Sequence, residues 1–172
     1  MIDKTKYLIM GNSNYTNDAY SFFSQRAKTK STDDLFTQNK KKETHNNMNP
    51  YGVKFREARD SKNHPTSVPI MVWLDVTGSM GKIAEAIARE KLNNLMTTLI
   101  NHGVKDAAVF FGAIGDHKKP SGNSDKSPLQ VGQFESGADE LCSCLTSTHI
   151  ERGGGGNHIE SYILAHLFAG KH

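Results

Sequence analysis

Apolar residues are unevenly spread along this chain, and their spacing changes character between residues 66 and 67. Residues 68–74, Val-Pro-Ile-Met-Val-Trp-Leu, form an almost unbroken apolar run, the mark of a strand buried on both faces. Over residues 80–100, apolar side chains fall at Met80, Ile83, Ala84, Ile87, Ala88, Leu92, Leu95, Met96 and Leu99. That spacing predicts one long amphipathic helix, and Gly103 stands where a carboxyl-terminal cap belongs. A second apolar run, residues 107–114, ends at Gly115-Asp116-His117. Strand, helix and buried strand in succession predict a βαβ unit with a parallel pair. Residues 118–127 are polar, residues 129–134 read as a weaker strand, and helical spacing returns at Ala138, Leu141, Cys142 and Leu145. After the run Gly153–Gly156, a last helix is expected with Ile159, Tyr162, Ile163 and Leu167 on one face.

Residues 11–66 lack this order. They are dense in Asn, Ser, Thr, Lys and Asp, interrupted by Tyr20, Phe22, Phe23 and Phe36, which could dock short helical pieces. The expected organisation is an irregular N-terminal arm (1–66) ahead of an α/β domain (67–172). Charge follows the same division. Residues 1–65 hold 12 Lys/Arg against 7 Asp/Glu, and residues 66–172 hold 9 against 11. The net charge of +3 therefore belongs to the arm. Lys40-Lys41-Lys42 is the only tight basic run and reads as a solvated loop, so no nucleic-acid partner is expected. The apolar run Tyr7–Met10 is too short for a signal or membrane segment. Two cysteines make no disulfide framework, so a reducing, cytoplasmic setting is expected.

Chemistry concentrates where the first strand meets its helix. Asp75-Val76-Thr77-Gly78-Ser79 puts a carboxylate and two hydroxyls at alternate positions of a tight turn, at the strand end where open α/β sheets bind ligands. Gly78 lets the turn close, and Ser79 is placed to cap the helix. Hard oxygens without His or Cys nearby suit Mg²⁺ or Mn²⁺ better than zinc. The competing reading is a strand end and helix cap with no metal. A phosphate-binding P-loop would need Gly at 76 and Ser or Thr at 83, where Val76 and Ile83 stand. An aspartyl phosphotransferase of the haloacid dehalogenase type would want a second Asp where Thr77 stands.

The run Leu74-Asp75-Val76-Thr77-Gly78-Ser79-Met80-Gly81 resembles the metal-ion-dependent adhesion site of von Willebrand factor A domains. Three later stretches resemble a bacterial and phage branch of that family: Ala113–Asp116, Leu129–Glu135, and Gly153–Asn157 with Glu160-Ser161-Tyr162. Arg56-Glu57-Ala58-Arg59-Asp60-Ser61 does so too. The resemblance covers residues 50–172. It implies a Rossmann-like domain with a central, mostly parallel sheet flanked by helices. It also implies that Asp75, Thr77 and Ser79 hold a divalent cation, Asp75 through water, with an acidic side chain of a protein partner completing the shell.

Two family ligands lack counterparts. The glycine loop 153–157 contains no Thr, and no fourth strand follows. The implied strand order is 3-2-1-4-5-6, so the first strand is expected at an open edge, where self-association could occur. The chain is thus expected to be an incomplete form of the domain, by truncation ahead of the alternatives of a fragment or a half completed by a partner. Asp116, at the end of the neighbouring strand, is a candidate ligand, directly or through water, or a turn former.

The remaining candidates point elsewhere. Cys142 and Cys144, with His149 and His158, lack structural zinc spacing and read as core packing. Glu160 suits the start of a helix, and the glycine run could cradle an anion. His102 and His117 have no catalytic partner. The function expected is cation-dependent protein binding, with no membrane association. The alternatives are metal-assisted hydrolysis or phosphotransfer using Asp75 with Asp116, or a remnant without a working site.

Overall fold

The computed structural model describes residues 13–116, 127–151 and 161–171. Within them the chain forms a mixed α/β structure around a three-stranded sheet ordered β1-β2-β3. The strands are β1 (Val68–Asp75), β2 (Ala107–Ile114) and β3 (Leu129–Glu135). β1 and β2 are parallel, with Val68 opposite Ala107 and Asp75 opposite Ile114. β3 runs antiparallel to β2, so the parallel expectation holds for the first pair only. The sequence between β2 and β3 carries no apolar helical period, and antiparallel strands need no crossover helix between them.

Strand alternation sorts the core into two layers. Ala107, Val109, Phe111 and Ala113 of β2 face one side with Ile70, Val72 and Leu74 of β1. Ala108, Phe110 and Ile114 face the other, with Met71 and Trp73. Between Phe110 and Gly112 the β2–β3 register shifts, because three β3 residues span what two β2 residues span. This bulge turns Val131 and Phe134 to the same face.

β2 is buried along its whole length, whereas β1 is mostly half-covered and begins exposed at Val68. The expectation of a strand buried on both faces is therefore met by β2 and not by β1. Edge position explains this. Val68 and Val76 donate their N–H groups to Asp106 and Ile114 carbonyls at 2.9 and 3.1 Å. The even-numbered amides of β1 thus face β2, and Met71, Trp73 and Asp75 turn theirs to an edge that no described strand covers. Pro69 stands on that edge, where its missing N–H costs no ladder bond.

The crossover consists of α4 (Gly81–Ala86), a π-helical turn (Ile87–Lys91) and α5 (Leu92–Asn101). Its buried residues include Ala84, Ala88, Leu92 and Met96, four apart. On an α-helix with 3.6 residues per turn, a spacing of four drifts around the axis. The wider π turn absorbs that drift, so the stripe stays on the sheet. The expected stripe is narrower than the sequence implied, because Met80 and Ile83 are exposed. Gly103, at φ 91°, ends α5 in a left-handed conformation. Its N–H donates to Ile100 and that of Val104 donates to Leu99, the paired bonds of a Schellman cap.

The expected irregular arm carries α1 (Asn17–Thr29), α2 (Thr32–Leu35) and α3 (Gln38–Lys41). Tyr20, Ala27, Leu35 and Phe36 join the crossover-side core, while Phe22 is exposed beneath the Arg26 guanidinium. Ser24 donates to the Arg89 carbonyl in the π turn at 2.6 Å. The Arg89 guanidinium in return donates to the Ala27 and Lys30 carbonyls that end α1. α6 (Ala138–Thr146) covers the same face through Leu141, Cys142 and Leu145.

On the opposite face lies α7 (Tyr162–Lys171), which buries Ala165 and Phe168 against Trp73 and Phe110. Tyr162, Ile163 and Leu167 are exposed, so the face expected to pack is the outer one. This helix is apolar nearly all round, and periodicity cannot choose its inner side. Ile159 lies outside the described residues.

Gly112 lies opposite Trp73 in the ladder, and a Cβ there would strike the indole ring and then Phe110 at 2.9 Å. Gly112→Ala is expected to destabilise the fold by about 1–3 kcal/mol through overpacking. Gly170→Ala, in open space, is expected to be neutral or slightly stabilising. Urea denaturation of both variants measures the difference.

Candidate metal centre

Parallel pairing places the carboxyl ends of β1 and β2 side by side, so the turns after Asp75 and Ile114 leave from one end of the sheet. Gly78 closes the first turn with φ 43°, as its sequence position predicts. Within it, Asp75 Oδ1 accepts the Thr77 N–H at 2.8 Å and the Thr77 hydroxyl at 2.7 Å. Thr77 is buried, Asp75 half-buried and Ser79 exposed. Ser79 does not cap the helix as expected: it sits inside the 3-10 turn Gly78–Met80, and the cap positions fall to Thr77 and Met80, neither of which makes a side-chain cap bond. Asp75 supplies the local turn instead, by taking the Thr77 N–H.

The other oxygen of Asp75 is engaged from a distant part of the chain. Tyr162, the first residue of α7, donates its hydroxyl to Oδ2 at 2.8 Å. The neighbouring bond explains its arrival: the Ser161 N–H donates to the Gly115 carbonyl just beyond β2, at 3.3 Å. Sequence reasoning missed this role. Tyr162 and Asp75 are 87 residues apart, and Tyr162 reads as part of an apolar stripe.

Asp116 follows β2 by two residues and is buried. Its N–H donates to Glu151 Oε2 at 3.4 Å, and Glu151 is itself buried. A side chain on Gly115 would meet Glu151 Oε2 at 3.3 Å, so this carboxylate packs against the Gly115-Asp116 turn. The structure therefore brings Asp75, Thr77 and Ser79 together on one loop and sets Asp116 at the same sheet end, beside Glu151. Glu151 also escaped the sequence reading, because it follows α6 in no recognisable motif.

The donors fit a small hard cation in their chemistry: one carboxylate and two hydroxyls on a single turn. The Thr77 hydroxyl donates its hydrogen bond to Asp75, so the acceptor lone pairs of its oxygen are not used by that bond. No group of three or more His, Cys, Asp or Glu among the described residues is arranged to hold a metal. A site with one carboxylate and two hydroxyls is of a different kind. The glycine loop 153–157, Glu160, His117 and His158 lie outside the described residues.

The cysteines and His149 belong to the core. Cys142 packs inside α6, and Cys144 Sγ lies 3.6 Å from Met48 Sδ and 3.8 Å from the Phe111 carbonyl. His149 is buried, and its backbone is held in both directions by the Gln130 amide at 2.8 Å. His102 is exposed, with Nδ1 2.8 Å from the Thr98 carbonyl. No helix among the described residues is long and apolar enough to cross a membrane. No family model, curated protein or solved structure matches the chain.

Burial pushes both thiols up to about 12 from their ordinary value of 9.0. The folded chain thus keeps protons that the unfolded chain releases, and this contribution to stability is full below pH 9 and lost as pH rises towards 12. Iodoacetamide at pH 8 is expected to leave both cysteines unmodified in the native protein and to alkylate both in urea, as read by intact mass. Their titration also predicts a urea midpoint lower at pH 10.5 than at pH 8. An unchanged midpoint would contradict it.

Proposed function

We propose that this chain is a von Willebrand factor A-like, Rossmann-like module that binds a divalent cation and presents it to a protein partner. Asp75, Thr77 and Ser79 would hold Mg²⁺ or Mn²⁺, with Asp116 contributing directly or through water. An acidic side chain of the partner would complete the shell. The cation would supply a localised positive charge at the sheet end and no covalent chemistry.

The observation that carries this reading is the bonding of Asp75 and Thr77 at the carboxyl end of β1. The two residues are tied to each other, the Thr77 oxygen keeps its lone pairs, and Ser79 is not used as a cap. The order β1-β2-β3, with its parallel first pair, agrees with the half of the sheet that the resemblance implies. The edge of β1 that no described strand covers is a second surface at which another chain could pair.

Mg²⁺ or Mn²⁺ is expected to raise the melting temperature, because a ligand of the folded state alone stabilises it. At about a hundred times the dissociation constant the gain is about 2.7 kcal/mol. Asp75→Ala is expected to abolish the shift. An unchanged melting temperature in the wild type, or an equal shift in Asp75→Ala, would overturn the proposal.

A further inference from the structure

We infer that Tyr162 is a built-in competitor for the cation, holding the one oxygen of Asp75 that Thr77 leaves open; this rests on the cation-binding reading above. Each carboxylate oxygen offers two lone pairs. Oδ1 is filled by the Thr77 N–H and hydroxyl, and Oδ2 carries the Tyr162 hydroxyl. A cation, or a water bound to it, has the second lone pair of Oδ2 as its remaining point of attachment, beside the phenol. There it meets the phenol proton, a partial positive charge directed at the same atom.

Two effects of the phenol oppose each other, and their sizes decide the sign. Tyr162 could help the cation by orienting the carboxylate. Asp75 is already fixed by two bonds to Thr77, so a third contributes little ordering, and the freezing of one rotor is a small quantity. A hydrogen bond to a charged oxygen is worth more, and a cation drawing on the same oxygen weakens it, because the cation repels the phenol proton and withdraws charge from Oδ2. Competition therefore outweighs orientation. Because coupling is reciprocal, a bound cation also loosens the hold of Tyr162 on β1. α7 remains secured by Leu164, Ala165 and Phe168 in the core and by the Ser161 N–H.

Mn²⁺ binding by the full chain, measured calorimetrically for wild type and Tyr162→Phe, tests this. The ring is partly exposed, so the variant keeps its packing, and the expected gain in affinity is about three- to tenfold, after allowance for solvent. Tighter binding in Tyr162→Phe, including binding seen only in the variant, supports the inference. Equal or weaker binding in the variant overturns it and leaves the cation site standing. Absence of binding in both proteins overturns the cation reading and this inference together. Should Tyr162→Phe fail to fold, the wild-type tyrosine absorption is decisive. Mg²⁺ is expected to produce a difference spectrum as the phenol leaves the carboxylate, and a flat difference spectrum under saturating Mg²⁺ overturns the inference.

Discussion

Parallel strands cannot be joined by a tight turn, so a chain that pairs β1 with β2 in parallel must leave β1 at one end and re-enter at the other. Here that return occupies the whole length of α4, the π turn and α5, and the ladder sets Asp75 level with Ile114. The long-range features of the candidate site depend on this register. The Gly115 carbonyl, one residue past the ladder, receives the Ser161 N–H, and the next residue delivers its phenol to Asp75. A slip of one residue would exchange the faces of β1. Trp73 would leave Phe110 and Phe168, and Asp75 would turn away from α7.

The register is held by a pairing of extremes in side-chain volume. Trp73 lies opposite Gly112 and fills the space that the glycine leaves, within 5.2 Å of the Phe110 ring centre and 6.0 Å of that of Phe168. An edge strand usually carries its apolar residues with one flank in water. Here the indole leans inward over β2, and the helix that brings Tyr162 also covers the ring through Phe168. Packing on this face and the bond to Asp75 are thus consequences of one helix position. On the other face, Arg89 ties the π turn to the end of α1, so the crossover is fastened to the N-terminal helices by hydrogen bonds as well as apolar contact.

Local patterns made part of this legible. β1, β2, the crossover, α6 and the Gly103 cap follow from runs and periods within short windows, and the D-x-T-x-S loop declares its oxygens in five residues. Features that depend on partners far away in sequence were not legible. The inner face of α7 is chosen by Trp73 and Phe110, not by its own periodicity. The antiparallel sense of β3 and its bulge depend on what β2 accepts. Among the aromatics expected to dock the N-terminal pieces, Tyr20 and Phe36 do enter the core, but that Phe22 stays outside it is decided by packing and not by its own surroundings. Tyr162 and Glu151 enter the picture only when the ends of β1, β2 and α7 are brought together.

The role of Ser79 shows how a turn can form and still keep its oxygens available. A serine before a helix ordinarily accepts backbone N–H groups of the first turn, which would commit its oxygen to the fold. In this chain Asp75 takes the Thr77 N–H, and the Thr77 carbonyl takes the Met80 N–H at 2.9 Å. The turn is thereby closed by the carboxylate and the backbone, and no cap bond falls to Ser79. The Thr77 hydroxyl likewise acts as a donor within the turn, which leaves its acceptor capacity unspent.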